Sequence, residues 1–153
     1  MFWLPLFAAS LHIIEEFVWP GGFAAWYRAY LPDIAASVSN RFLFWINTAL
    51  LFACLSAGVD GPSPYGAAIF LTVTALLFAN GIFHLVATIQ GRRYSPGVVT
   101  GVVLYLPLAI GGYATVLRSH LASPGTAAVA VLLGGSYQFI SWSIHRRRAR
   151  TLS

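Results

Sequence analysis

The sequence predicts an all-α fold: a polytopic membrane helical bundle of about five transmembrane helices and one interfacial helix, built as a single domain over residues 1–153. Three observations carry this reading. Hydrophobic residues make up 58% of the 153 residues and charged residues only 8%, where a soluble domain carries about 25% charged. Apolar runs of membrane-spanning length recur between Gly- and Pro-rich breaks. All 9 basic residues are Arg, and they gather in alternate breaks. This composition excludes an ordinary soluble globule and a disordered chain. The single Cys, Cys54, excludes a disulfide framework and a thiolate metal cluster.

The first apolar run, Met1 to Trp19, lacks a basic start and a small-residue cleavage site and contains His12, Glu15 and Glu16. It is expected to be a retained span rather than a signal peptide, roughly 17 residues and so about 26 Å long. Pro20-Gly21-Gly22 ends it. Phe23, Trp26, Tyr27 and Tyr30 then recur at helical period, and Pro32 stops them. That stripe predicts a short helix lying in the headgroup region. Further spans are expected at Arg41 to Gly58, Tyr65 to Gln90, Gly97 to Leu117 and Thr126 to Ile144. Asp60-Gly61-Pro62-Ser63-Pro64, Gly91-Arg92-Arg93-Tyr94-Ser95-Pro96 and Ser123-Pro124-Gly125 separate them.

Arg28 and Arg41, then Arg92 and Arg93, then Arg146, Arg147, Arg148 and Arg150 occupy alternate connections, while the opposite ones hold Arg118 and Asp60. The positive-inside rule predicts an outside N-terminus and a cytoplasmic C-terminus. The net charge of +5 is thus a topology signal. The Arg-rich tail reads as an anchor on anionic lipid rather than a nucleic-acid contact.

Carboxylates within a span cost about 2.5–3.5 kcal/mol each on insertion scales, so their presence needs a reason. His12 lies three and four residues before Glu15 and Glu16, which puts all three on one helix face. Asn80 and His84 share a face of the third span at i, i+4. Asn47, Tyr94, Thr100, Gln138 and Ser141 are the other polar groups, and with the predicted span directions all of these fall toward the cytoplasmic side. One polar site opening inward is the expectation.

These strings form a pattern. His12-Ile13-Ile14-Glu15-Glu16 is H-x-x-E-E, Asn80-Gly81-Ile82-Phe83-His84 is N-x-x-x-H, and Tyr94 to Thr100 is Y-x-P-G-x-x-T. In that order, across positions 12 to 100, they resemble the HXXEE family of small bacterial membrane proteins. The last third of the chain adds no matching motif. The resemblance implies a shared fold and polar centre, and a bacterial-type inner (plasma) membrane location. It implies no reaction, because the family has none assigned.

The residues leave three readings of the centre open. One is a metal site with His12, Glu16 and His84 as ligands, Glu16 favoured over Glu15, taking one divalent Zn, Fe or Mn. The second is a metal-free acid/base pair of Glu15 and Glu16 tuned by His84. The third is a hydrogen-bond network that joins helices. The string is neither H-E-x-x-H nor H-x-x-E-H, so the metalloprotease analogy fails. Glu15, Glu16, Tyr94 and Thr100 are the catalytic candidates, and Asn80, Asn47 and Gln138 the substrate-binding ones. Pro96 with Gly97 and Gly101 reads as a helix start and a close-packing G-x-x-x-G face, and amides near Gly97 can hold an anion such as phosphate. Trp3, Trp19, Trp26, Trp45 and Trp142 read as an interfacial belt, His120 and His145 as solvated loop residues, and Cys54 as packing. The expected partners are the bilayer and a small lipophilic substrate. An enzyme acting on that substrate leads, ahead of a transporter or proton relay and of a scaffold without chemistry.

Overall fold

A computed structural model describes residues 1–152, and among them the regular structure is all helical, without strands. Helix α1 (Leu4–Phe17) is followed by α2 (Phe23–Tyr30) and a 3-10 turn (Pro32–Ser37). Then come α3 (Asn40–Asp60), α4 (Pro64–Gly91) and a continuous helix Val98–Arg118, made of α5 (Val98–Thr100), a π-turn (Gly101–Tyr105) and α6 (Leu106–Arg118). The chain closes with α7 (Pro124–Gly135) and α8 (Tyr137–Leu152). Serine hydroxyls start three of these helices. Ser39, Ser63 and Ser123 accept from the amides of Phe42, Gly66 and Thr126 at 3.1, 2.9 and 3.0 Å, satisfying donors that a helix start leaves open.

Four helices are long and apolar enough to cross a bilayer: Asn40–Asp60, Pro64–Gly91, Val98–Arg118 and Pro124–Thr151. The expected count of five is thereby corrected to four. Helix α1 has 14 residues, about 21 Å, short of a ~30 Å hydrocarbon core. Its last predicted turn is lost to the Pro20-Gly21-Gly22 break. The fifth predicted span also differs, because its helix is interrupted at Ser136 and runs on through the Arg-rich stretch.

Helix α4 is the centre of the bundle, packing most extensively on α7 and also on α3, α6 and the π-turn. Gly81 and Gly101 bring α4 against the Val98–Arg118 helix backbone to backbone. A Cβ at Gly81 would stand 2.9 Å from the Gly101 carbonyl oxygen. The π-turn follows from Pro107. Without an N–H, and with a ring that crowds the carbonyl four residues back, it favours a wider turn, closed by the Leu106 amide on the Gly101 carbonyl. This turn delivers Tyr105 to the interior, 1% exposed, beside Ala8, Ala9, Cys54, Val73 and Leu77. Cys54 is a packing residue of that cluster, as expected.

Candidate metal centre

Helix α1 contributes His12, Glu15 and Glu16, and α4 contributes His84; all four side chains are buried, His84 completely. Nε2 of His12 and Nε2 of His84 both approach Oε1 of Glu16, at 3.4 and 3.2 Å. Neither nitrogen has a hydrogen-bond partner. Three ligand atoms lie within 4.8 Å of one another, a cluster that can hold a metal ion. The spacing suits one: donors about 2.0–2.2 Å from a tetrahedral zinc stand about 3.3–3.6 Å apart.

The far side of each imidazole is pinned. His12 Nδ1 lies 2.8 Å from the Thr100 hydroxyl, and His84 Nδ1 lies 2.8 Å from the Ser95 hydroxyl. Thr100 Oγ1 also donates to Glu15 Oε2 at 2.5 Å. A hydroxyl has one proton to give. With it on the carboxylate, Thr100 accepts from His12, so Nδ1 is a donor and Nε2 is the nitrogen turned toward Glu16. Nε2 faces a carboxylate oxygen, an arrangement that a cation or proton between them satisfies.

Glu15 has a different task from Glu16. Its Oε1 accepts from Tyr94 Oη at 2.6 Å and from the amides of Gly97 and Val99 at 3.1 and 3.0 Å; its Oε2 accepts from the Thr100 amide at 2.7 Å and from the Thr100 hydroxyl. The helix start near Gly97 does hold an anion, and the anion is the chain's own carboxylate. Glu15, Tyr94 and Thr100, expected as catalytic groups, are thus bonded to one another, and Thr100 carries the arrangement through to His12. Burial and the adjacent Glu15 carboxylate push the Tyr94 phenol above the usual tyrosine range. Gly97, with φ of +104°, runs its backbone against both imidazoles. A Cβ there would stand 2.7 Å from His12 Cε1 and 2.8 Å from His84 Cε1. Of the predicted glycine pair, only Gly101 is therefore a helix-packing residue.

Above the imidazoles lie aromatic rings. The Tyr105 ring packs against His12, tilted by 32° with centroids 4.5 Å apart, and Trp26 and Phe23 lie 6.0 and 5.7 Å from His84. The α2 aromatic stripe packs inward on His84 and Phe83. Trp26 is half-buried there, while Trp3, Trp19, Trp45 and Trp142 are exposed. His145 corrects the expectation of a solvated loop residue. It is 1% exposed, bonded to Ser37 Oγ at 2.8 Å and set edge-on to Phe42, because α8 continues past the span and packs on the 3-10 turn.

Asn47, Asn80 and Gln138 meet in one cleft. Together with Glu16, Tyr27, Tyr137 and Ser141 they line a space of about 70 Å³. Glu16 is the one member of the His12–Glu16–His84 cluster on its wall. Sequence reasoning missed Tyr105 and Ser95. Tyr105 depends on the π-turn, whose only trace in the sequence is Pro107. Ser95 stands inside the Y-x-P-G-x-x-T string, at a position the motif leaves open.

With the geometry in place, comparison with known proteins is decisive on kinship. A family described as "Protein of unknown function with HXXEE motif" matches residues 3–111. The chain belongs to the HXXEE family. An uncharacterized protein of Bacillus subtilis (strain 168), YrkK, is 32% identical over 106 residues, which is 67% of this chain and 65% of that relative. No solved structure matches. The HXXEE match covers α1 to the middle of α6, and so includes every residue around the two imidazoles. It leaves out α7 and also α8, and α8 supplies Tyr137, Gln138 and Ser141 to the cleft.

Proposed function

We propose that this HXXEE protein is an integral membrane enzyme that holds one divalent metal between His12, Glu16 and His84 and acts on a small lipophilic substrate. The observation that carries this reading is the meeting of two partnerless Nε2 atoms on a single Glu16 oxygen. Two imidazoles and a carboxylate suit zinc, non-haem iron or manganese, and three protein ligands leave a coordination position for water or substrate. A bound divalent ion would acidify a water or polarise a carbonyl or phosphoryl oxygen. The chain's own residues do the rest: Thr100 and Ser95 hold the imidazoles with Nε2 inward, Glu15 holds Thr100, and Asn47, Asn80 and Gln138 receive the substrate beside Glu16. A transporter is less well supported, since the span directions that the Arg pattern implies put the polar groups toward one side.

Elemental analysis of purified protein tests the reading. Near-stoichiometric zinc, iron or manganese is expected, lost in His84→Ala. Metal-free protein with activity would replace the metal by an acid/base pair centred on Glu16. The Arg distribution supports a cytoplasmic site. Reporters fused after Asp60 and after Arg150 are expected on opposite faces, and finding both on one face would overturn that orientation.

A further inference from the structure

The polar cleft beside Glu16 adjoins a second space. Ile46, Asn47, Asn80 and Tyr137 line the cleft and also line this second chamber, of about 270 Å³. The other walls of that chamber are Ala49, Leu50 and Ala53 of α3 and Thr72, Val73 and Leu76 of α4, all apolar but for one threonine. The Thr72 hydroxyl is turned back onto the Ala68 carbonyl at 2.8 Å. Ala49 is exposed on the outer surface of α3, so the chamber meets the lipid-facing side of the bundle. The chamber by itself comes close to the lower end of the roughly 300–1,000 Å³ range of small-molecule sites.

At the junction stands Asn80, whose Oδ1 is buried and without a hydrogen-bond partner. An orphaned acceptor of this kind is costly unless a donor reaches it. Glu16, on α1 and lining the same cleft, offers a second acceptor. Two acceptors at the polar end and an apolar tunnel behind them select one kind of molecule.

We infer that the substrate is a single-chain amphiphile with a hydrogen-donating headgroup, such as a hydroxyl. Its head lies between Asn80 and Glu16, and its chain lies in the α3–α4 chamber after entry from the bilayer. This rests on the enzyme reading for the head's position beside the metal cluster, but the binding mode itself needs no metal.

The test uses the full chain in lipid nanodiscs and a long-chain alcohol bearing a photoreactive diazirine in its tail. Labelling is expected on the segments 46–53 and 72–80. A long-chain alcohol should compete about ten-fold better than its methyl ether, and Asn80→Ala should erase that difference. Ala53→Trp, which fills the chamber, and Ala49→Trp at its rim should each abolish labelling while leaving bound metal unchanged. Labelling that persists in both Trp variants, or equal competition by alcohol and ether, would overturn the inference. Labelling as expected in a protein that carries no metal would uphold the amphiphile site and refute the metal reading, so the two fail separately.

Discussion

Thr100 gives Glu15 both of its donors: the backbone amide and the hydroxyl reach the same carboxylate oxygen, at 2.7 and 2.5 Å. The hydroxyl oxygen then has lone pairs left only for accepting, and His12 Nδ1 is the group in reach, at 2.8 Å. An acidic residue on α1 thereby makes Nδ1 of a histidine on the same helix a donor, through a residue 85 positions away in sequence. Partners of this kind orient metal-binding imidazoles in many proteins, and their loss costs about 10–100-fold in metal affinity.

Thr100→Val keeps the shape of the side chain and removes the relay. It is expected to weaken zinc or manganese binding by about 10–100-fold with the bundle still folded. Thr100→Ser should restore most of the affinity. Competitive titration against a chelator of known affinity measures both. Unchanged binding in the valine variant would show that His12 needs no such support.

The two adjacent carboxylates separate by experiment. Glu15→Gln replaces an acceptor with an NH2 group among five inward-pointing donors. It should destabilise the protein by about 2–4 kcal/mol, the scale of losing charge-assisted bonds and leaving buried donors unpaired. Glu16→Gln replaces the carboxylate that both Nε2 atoms face at 3.4 and 3.2 Å, so it should abolish metal binding while costing the metal-free protein less stability than Glu15→Gln does. Thermal unfolding in detergent, run beside metal analysis, gives both numbers. A Glu15→Gln protein as stable as the parent would contradict the capping role.

The membrane class, the break points and the residues of the centre were legible in the sequence because each rests on a short-range rule. Apolar length marks the spans, Pro and Gly mark the breaks, and i, i+4 spacing puts His12 with Glu16 on one face. The division of labour between Glu15 and Glu16 was only half legible. An angle of about 100° separates them, but which one meets the helix start at Gly97 depends on how α1 docks. Tyr105 was not legible, since a π-turn shifts the residues after it by a fraction of a turn relative to the 3.6 period. His145 was misread because an Arg-rich stretch after a span resembles a solvated tail; its helix continues, and the buried edge is supplied by Ser37 and Phe42 from another part of the chain.

Tyr94 predicts an alkaline limit. Burial, and then its bond to the Glu15 carboxylate, hold its phenol protonated beyond the usual tyrosine range. In the unfolded chain the phenol ionises near pH 10. Its contribution is therefore fully present below about pH 10 and is lost as pH rises toward the folded-state value, because the unfolded chain releases its proton first. Stability measured from pH 8 to 11.5 should fall more steeply above about pH 10 in the parent than in Tyr94→Phe. Parallel curves would mean that the phenol–carboxylate bond is not kept in solution.

Gly97 gives the sharpest separation of fold from site. Its φ of +104° is one that side chains rarely adopt, and an added methyl would stand 2.7 and 2.8 Å from the two imidazole Cε1 atoms. The backbone strain alone is worth about 1–2 kcal/mol, which a bundle with an extensive α4–α7 contact should survive. The rings cannot yield outward, since Tyr105 backs His12 and Trp26 backs His84. They would have to part from Glu16 instead. Gly97→Ala is thus expected to remain folded and to lose metal binding. Gly101→Ala, whose added Cβ would meet the Gly81 Cα at 3.1 Å, is expected to lower thermal stability while a remaining folded fraction still binds metal. Circular dichroism melts and metal content of the two variants check this pairing. Gly97→Ala protein that binds metal as the parent does would show that the loop can retreat from the imidazoles, and the site would then not depend on its close approach.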